Sequence, residues 1–417
     1  MTEGQVPGHE ERAERLFMLA DVEAGLGNMN AALKEAERAI EVAAEAGDAP
    51  FMIRTLARQA QMLIAMKRYR RARNTARRAL ALSRAVKDKS GIALSYYIMG
   101  QVEFHSGHLD AARKFYRECL RRARASGIRE GEASVLHQLG VISFLRRDYN
   151  TADRYLKRSL PLFLELGETE AAARSRYQLA MVQRGRGHYV RAQEDFVLAL
   201  DLARRAHATI VIGQCLQATG DVCFAQGDLT AARRALDECI KLRRDANDRP
   251  GLANSLNTSA QVSVAEGRVD EAKRLLEECI TLSRQEGFDG TLSDALTGMA
   301  MVYQLDGDMA RADVTIGESI AAAEASRDPT KIATARLIAS KLCEAGGRRE
   351  DALRHLIAAA GVAHKADPTV ADSVIAKLIH AEALLPKVDV TRAYDECAAE
   401  FRQAKRKPRP GKGQAEV

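Results

Sequence analysis

The stretches MGQVEFHSGHLDAARKFYRECL, at positions 99–120, and LGVISFLRRDYNTADRYLKRSL, at positions 139–160, are two copies of one pattern. Gly100 aligns with Gly140, Leu109 with Tyr149 and Ala112 with Ala152, each pair forty residues apart. Extending that register in both directions finds Ala32, Ala72, Ala112, Ala152, Ala192, Ala232, Ala272, Ala312 and Ala352. Twelve residues before each alanine stands a small residue: Ala20, Ala60, Gly100, Gly140, Ala180, Gly220, Ala260, Ala300 or Ser340. Five residues before it there is usually a glycine, as at Gly27, Gly107, Gly187, Gly227, Gly267, Gly307 and Gly347. Columns that agree across nine copies define an internal repeat, and a repeat of this length is one supersecondary unit stacked on its neighbours.

Each unit reads as two helices. The segment Gly131–Arg146 is apolar at Val135, Leu139, Ile142 and Phe144, close to a helical period. A turn at Arg147-Asp148 follows, and a second helix runs from about Asn150 to Leu166 with Ala152, Tyr155, Leu156, Leu160 and Phe163 inward. The turn glycine can take the left-handed conformation that ends a helix. Asn30, Asp110, Asn150, Thr230 and Asp270 are expected to cap the second helices. Asp48, Asp88, Asp248 and Asp328, with Pro50, Pro250 and Pro329 nearby, mark the starts of first helices. Pro161 falls inside a second helix, where a kink is expected. The alanine and glycine columns are where two helix backbones approach closely.

Composition agrees. The 417 residues are 46% hydrophobic, 29% charged and 5% aromatic, with nine Pro and no Trp, which is too poor in aromatics for a large β domain. No run of 18 apolar residues exists, so no helix is expected to cross a membrane. The start, MTEGQVPGHEERAE, is polar and acidic and lacks the features of a secretory signal. Net charge is +7, but residues 402–417 alone carry six bases against one acid, which leaves the body near neutral. The pI is therefore weak evidence for nucleic-acid binding by the body. Seven cysteines form no CxxC pair; Cys119, Cys239 and Cys279 share one repeat column with alanines and read as buried packing residues. Free thiols in odd number suit a reducing, cytoplasmic setting.

On these residues the pattern resembles the tetratricopeptide repeat, in the forty-residue form of kinesin light chains and Partner-of-Inscuteable polarity adaptors. The common unit of that family is about thirty-four residues, so the helices here are longer. The expected fold is all-α: an α-α superhelical solenoid of nine to ten helix-turn-helix repeats. Nine units cover about 11–362, a degenerate tenth about 370–403, and together they form one solenoid over 11–403. Residues 1–10 and the basic tail 404–417 are expected to be disordered.

The resemblance implies that first helices line a concave face, and that a row of carboxamides there bonds the backbone of an extended peptide. The matching column reads Asp21, Gln61, Gln101, Val141, Met181, Asp221, Gln261, Met301, Lys341. Tyr97, His137 and Tyr177 share another column, with Phe104 and Phe144 seven residues further along and His105 beside Phe104. Aromatic anchors among polar groups are typical of recognition surfaces, so these residues are expected to form one aromatic pocket in units 3–5.

Residues 67–130 hold seventeen bases against five acids, with Arg70, Arg71, Arg77, Arg78, Arg121 and Arg122 prominent. That surface reads mostly as a solvated face, with an acidic protein or nucleic acid as the alternative partner. No HExxH, GxxxxGK[ST] or GxSxG segment is present, and only His105, His108 and His137 approach a ligand set. The expectation is a non-catalytic adaptor without cofactor or metal, holding a peptide segment of another protein. The alternative is a sensor whose solenoid changes curvature on binding a peptide or small effector. Homo-oligomers through the solenoid ends are permitted.

Overall fold

A computed structural model describes residues 8–363 and 368–384. The expected basic tail, Cys397 and the second half of the tenth unit lie outside the described residues. Helices begin every twenty residues. In order they are α1 His9–Gly25, α2 Met29–Glu45, α3 Ala49–Ala65, α4 Tyr69–Ala85, α5 Lys89–His105 and α6 Leu109–Ala125. Then follow α7 Arg129–Leu145, α8 Tyr149–Glu165, α9 Thr169–Gly185, α10 Tyr189–Arg205, α11 Thr209–Ala225 and α12 Leu229–Asp245. The last are α13 Arg249–Ala265, α14 Val269–Glu286, α15 Asp289–Leu305, α16 Met309–Ser326, α17 Pro329–Ala345, α18 Arg349–Ala363 and α19 Pro368–Leu384. There is no strand among the described residues. Helix α1 starts inside the stretch expected to be disordered, and Pro161 does not end α8, which runs on to Glu165.

The links explain the strict spacing. After α1, Gly27 turns left-handed at φ 85°, its N–H bonds Ala24 O (3.1 Å), and Asn28 N–H reaches back to Glu23 O (2.8 Å). Asn28 then stands as the N-cap of α2, so one three-residue link ends a helix and starts the next. Lys67 and Arg147, which replace the turn glycine, adopt the same conformation at φ 58° and 59°.

The caps differ from the sequence reading. Asn30, Asp110, Asn150, Thr230 and Asp270 lie one position inside the first helical residue, past the point where a side chain can fold back onto free N–H groups. Two residues earlier, Asp148, Asp228 and Asp308 accept from the N–H of Thr151 (3.1 Å), Ala231 (2.9 Å) and Arg311 (2.9 Å). First helices are capped as expected, Asp48 from Phe51 N–H (3.0 Å) and Asp248 from Gly251 N–H (3.0 Å).

The chain forms two compact units, one up to Cys215 and one from Leu216. In the first, α3 touches α5, α5 touches α7 and α7 touches α9. The second helices α2, α4, α6 and α8 each pack between the first helix of their own repeat and that of the next. The core lies in that seam: Ala112, Tyr116, Cys119 and Leu120 of α6 meet Leu136, Leu139 and Ile142 of α7. In the second unit, α13, α15 and α17 likewise contact in sequence, and Leu276, Cys279 and Ile280 of α14 meet Leu296 and Met299 of α15.

The alanine column is fully buried, from Ala32 to Ala312 at 0% exposure and Ala352 at 2%. Its glycine counterparts are steric necessities where the facing residue is large. A Cβ at Gly100 would lie 2.5 Å from the Tyr116 ring, and one at Gly140 would lie 2.6 Å from Leu156 Cγ. The six cysteines among the described residues are free and buried, and burial pushes Cys119 up to about 12 and Cys279 up to about 11.

Candidate functional site

The first helices of the first unit enclose two adjoining cavities. One, of about 470 Å³, is lined by Tyr97 and Gln101 of α5, Glu130, Ser134, His137 and Gln138 of α7, Phe163 of α8, and Glu168, Ala171 and Arg174 at α9. The other, of about 380 Å³, lies between α3, α5 and α7 and is largely apolar, with Ile53, Leu94 and Ile128 in its wall. Tyr97, Glu130 and Ser134 line both, so the two form a continuous groove across four first helices, α3, α5, α7 and α9.

Why Tyr97 stands there can be followed down to the backbone. Gly100 leaves room for the Tyr116 ring, and Tyr116, fully buried, supports Tyr97 from beneath with ring centroids 5.7 Å apart. Burial raises the Tyr97 phenol above its ordinary range, opposed by a hydrogen bond with Gln138. His137 is the next residue of this column. Its Nδ1 lies 2.9 Å from Ser175 Oγ, and its ring packs edge-on against Phe163 with centroids 6.5 Å apart. Burial, helped by the Arg174 charge, pushes His137 down to about 4, so it is a neutral hydrogen-bonding group at neutral pH. At the rim, Arg174 Nη1 donates to Glu170 (2.7 Å) and remains largely exposed.

The structure gathers only part of the expected site. Tyr97, Gln101 and His137 come together in the groove. Tyr177 instead packs on Phe196 of its own repeat (5.5 Å), because each ring in this column rests on an aromatic of the second helix below it. The single aromatic pocket expected over three units is therefore a series of separate ring pairs. Phe104 packs on the core and edge-on to His105 (5.3 Å), and Phe144 packs on Tyr149 (6.0 Å), both at the far ends of α5 and α7.

The polar column is half-exposed and bonded along itself. Gln61 Nε2 donates to Gln101 Oε1 (3.5 Å), Arg58 donates to Asp21 (2.6 Å), and Gln217 donates to Asp221 (2.9 Å) in the second unit. Gln261 is exposed there. His108 Nδ1 is held at Glu103 (2.9 Å), and no group of three His, Cys, Asp or Glu residues suited to a metal occurs among the described residues.

Much of the basic surface is internally paired. Arg121 and Arg122 both hold Glu118 (2.6 and 2.9 Å), and Arg71 lies 3.7 Å from Glu37. Arg70, Arg77 and Arg78 project from α4, a helix without a single acid, into solvent. No helix among the described residues is long and apolar enough to cross a membrane.

Glu130, Ser134, Gln138 and Arg174 are groove residues that the sequence reading missed. Ser134 and Arg174 share a column with Arg54 and Leu94, which also face the groove, and that column was the available signal.

Comparison with known proteins places this architecture. The model of a MalT-like TPR region matches residues 128–318, and a tetratricopeptide repeat model matches 11–85 and 51–125. No curated protein matches the chain. Among solved structures, the apo form of the quorum sensor NprR from B. thuringiensis is similar at 13% identity and a TM-score of 0.63. The match covers 82% of this chain and 98% of that one. A Signal Transduction ATPase with Numerous Domains (STAND) protein with a tetratricopeptide repeat sensor, from Pyrococcus horikoshii, matches at 14% identity and a TM-score of 0.64, covering 90% of this chain and 55% of that one. A Rap protein complexed with competence and sporulation factor matches at 12% identity and a TM-score of 0.52, over 95% and 99% of the two chains. At these identities the likeness is one of fold. With the repeat columns, the paired helices and two family models that between them span most of residues 11–318, the chain belongs to the tetratricopeptide-repeat family.

Proposed function

We propose that the chain is a non-catalytic binding module that holds a segment of another protein along the first-helix groove of its first unit. The observation that carries this reading is the pair of cavities sharing Tyr97, Glu130 and Ser134. One half offers apolar walls for a side-chain anchor, and the other offers hydroxyl, carboxamide, imidazole and guanidinium groups for a peptide backbone. Recognition by a few anchors within a polar surround is the usual economy of such surfaces. The residues that would carry it are Tyr97, Gln101, Ser134, Gln138 and Arg174, with His137 as a neutral partner.

The similar structures favour one refinement. One is a quorum sensor, one carries a tetratricopeptide repeat sensor, and one is complexed with a competence and sporulation factor. A sensor of a peptide or small effector would use the same groove and change conformation on binding.

A photoreactive amino acid in place of Ser134, in the full chain exposed to native lysate, tests the reading. It should crosslink to a partner, and Gln138→Ala with Arg174→Ala should reduce the yield at least tenfold, about 1.4 kcal/mol of binding. The same label at Arg78, on the outer surface, should give none of that product. Equal yields from both positions would rule out groove recognition. A sensor, unlike a passive adaptor, would also change its radius of gyration in X-ray scattering when the captured ligand is added.

A further inference from the structure

Second helices of successive repeats are joined on their outer face by a recurring contact. Arg244 reaches Glu278 (2.7 Å) and Arg284 reaches Glu318 (2.5 Å), each step spanning 34 residues from the end of one second helix to the middle of the next. The same step from α8 to α10 lands on Leu164 and Leu198, both 49% exposed. Val197 is 54% exposed, and in its column the exposed positions of other repeats hold Glu37, Arg77, Arg117, Lys157, Asp237 and Glu277. Val190, two turns earlier on the same face of α10, is 64% exposed. A patch of this kind, in columns that are otherwise charged, marks a surface that is covered in the working molecule.

Charge says what covers it. On α8 the outer stripe is basic, with Arg154, Lys157 and Arg158 exposed; at the corresponding face of α10 the exposed charges are Glu194 and Asp201. A two-fold axis between these helices lays α8 of one copy on α10 of the other. It then meets base with acid on both sides at once, with the leucines and valines in the middle. The pairs these groups make within one copy, Lys157 with Asp153 (2.9 Å), Arg158 with Glu132 (3.6 Å) and Asp201 with Arg205 (2.6 Å), are exposed or half-exposed and hold little energy, so they can exchange partners. We propose that the outer face of α8 and α10 is the contact of a symmetric homodimer, formed on the side of the repeats opposite to the groove.

Sedimentation of the full chain over a wide concentration range tests this. The protein should sediment as a dimer, and Leu164→Arg with Leu198→Glu, which installs the ion pair of the other junctions, should raise the dissociation constant at least ~100-fold. That double variant should keep its helicity and melting temperature, since the same pair is tolerated elsewhere in the chain. Glu194→Arg with Asp201→Arg should weaken association in the same way, and adding Arg154→Glu and Arg158→Glu should restore it. A wild-type chain that is monomeric throughout, a dimer indifferent to the leucine changes, or a charge reversal without rescue would each overturn the proposal.

Discussion

His137 shows how one residue's surroundings fix its chemistry. In the unfolded chain its imidazole has the ordinary pKa of 6.5, whereas in the folded groove it is pushed down to about 4. Between those values the unfolded chain binds a proton that the folded chain refuses, so stability falls as pH drops from 6.5 towards 4 and is unaffected above that window. The loss approaches, at most, about 1.4 kcal/mol per pH unit. In His137→Gln the carboxamide can still meet Ser175 without titrating. The difference in unfolding free energy between wild type and variant, from denaturant melts, should therefore shrink or reverse as pH is lowered from 7 to about 4.5. A difference that stays constant with pH would show that His137 is not held neutral. The column of Tyr97 and His137 was legible in the sequence because aromatics are scarce in this chain. Ser134, Gln138 and Arg174 were not, because single polar residues on a helix look the same whether they face a groove or open water.

At the scale of the helix pair, the spacing of small residues governs how closely two backbones approach. Gly140 of α7 lies against Leu156 of α8, and the added Cβ would already sit 2.6 Å from Leu156 Cγ. Gly140→Val should cost about 1–3 kcal/mol in a denaturant melt, because neither helix can withdraw without breaking its contact with the next repeat. Gly267→Ala is a useful contrast, since an added Cβ there meets open space and its cost comes instead from φ 75°. Helix pairing was readable down to nearly the right termini, as the expected 131–146 and the observed Arg129–Leu145 show. The caps were misplaced because Asn30 and Asp110 are good capping residues by type; only the position of the left-handed link decides which residue stands at the helix start. The twenty-residue period of helix starts also went unread. First and second helices carry different side chains in equivalent places, and only their links are alike.

Across the whole molecule, the repeat is also visible in its thiols. Cys119, Cys215, Cys223, Cys239, Cys279 and Cys343 lie in different repeats, all buried and all raised above the ordinary thiol range by that burial. A thiol reagent such as DTNB should therefore label at most one of the seven cysteines of the native chain, and all seven once it is unfolded. Intermediate denaturant should show whether the repeats open one at a time or together, since stacked repeats couple mainly to their neighbours. Prompt labelling of several cysteines in the native chain would show that the seams breathe.

The uniform helix-plus-link length has a consequence at the level of the gene. Because every helix begins twenty residues after the last, a duplication or loss of forty codons returns the chain to the same phase and leaves each alanine facing its seam. A shift of one codon turns every later residue of that helix by about 100° and carries the alanine out of it. Such a coding sequence can lengthen or shorten by unequal recombination between its own copies, and it tolerates almost no other change of length.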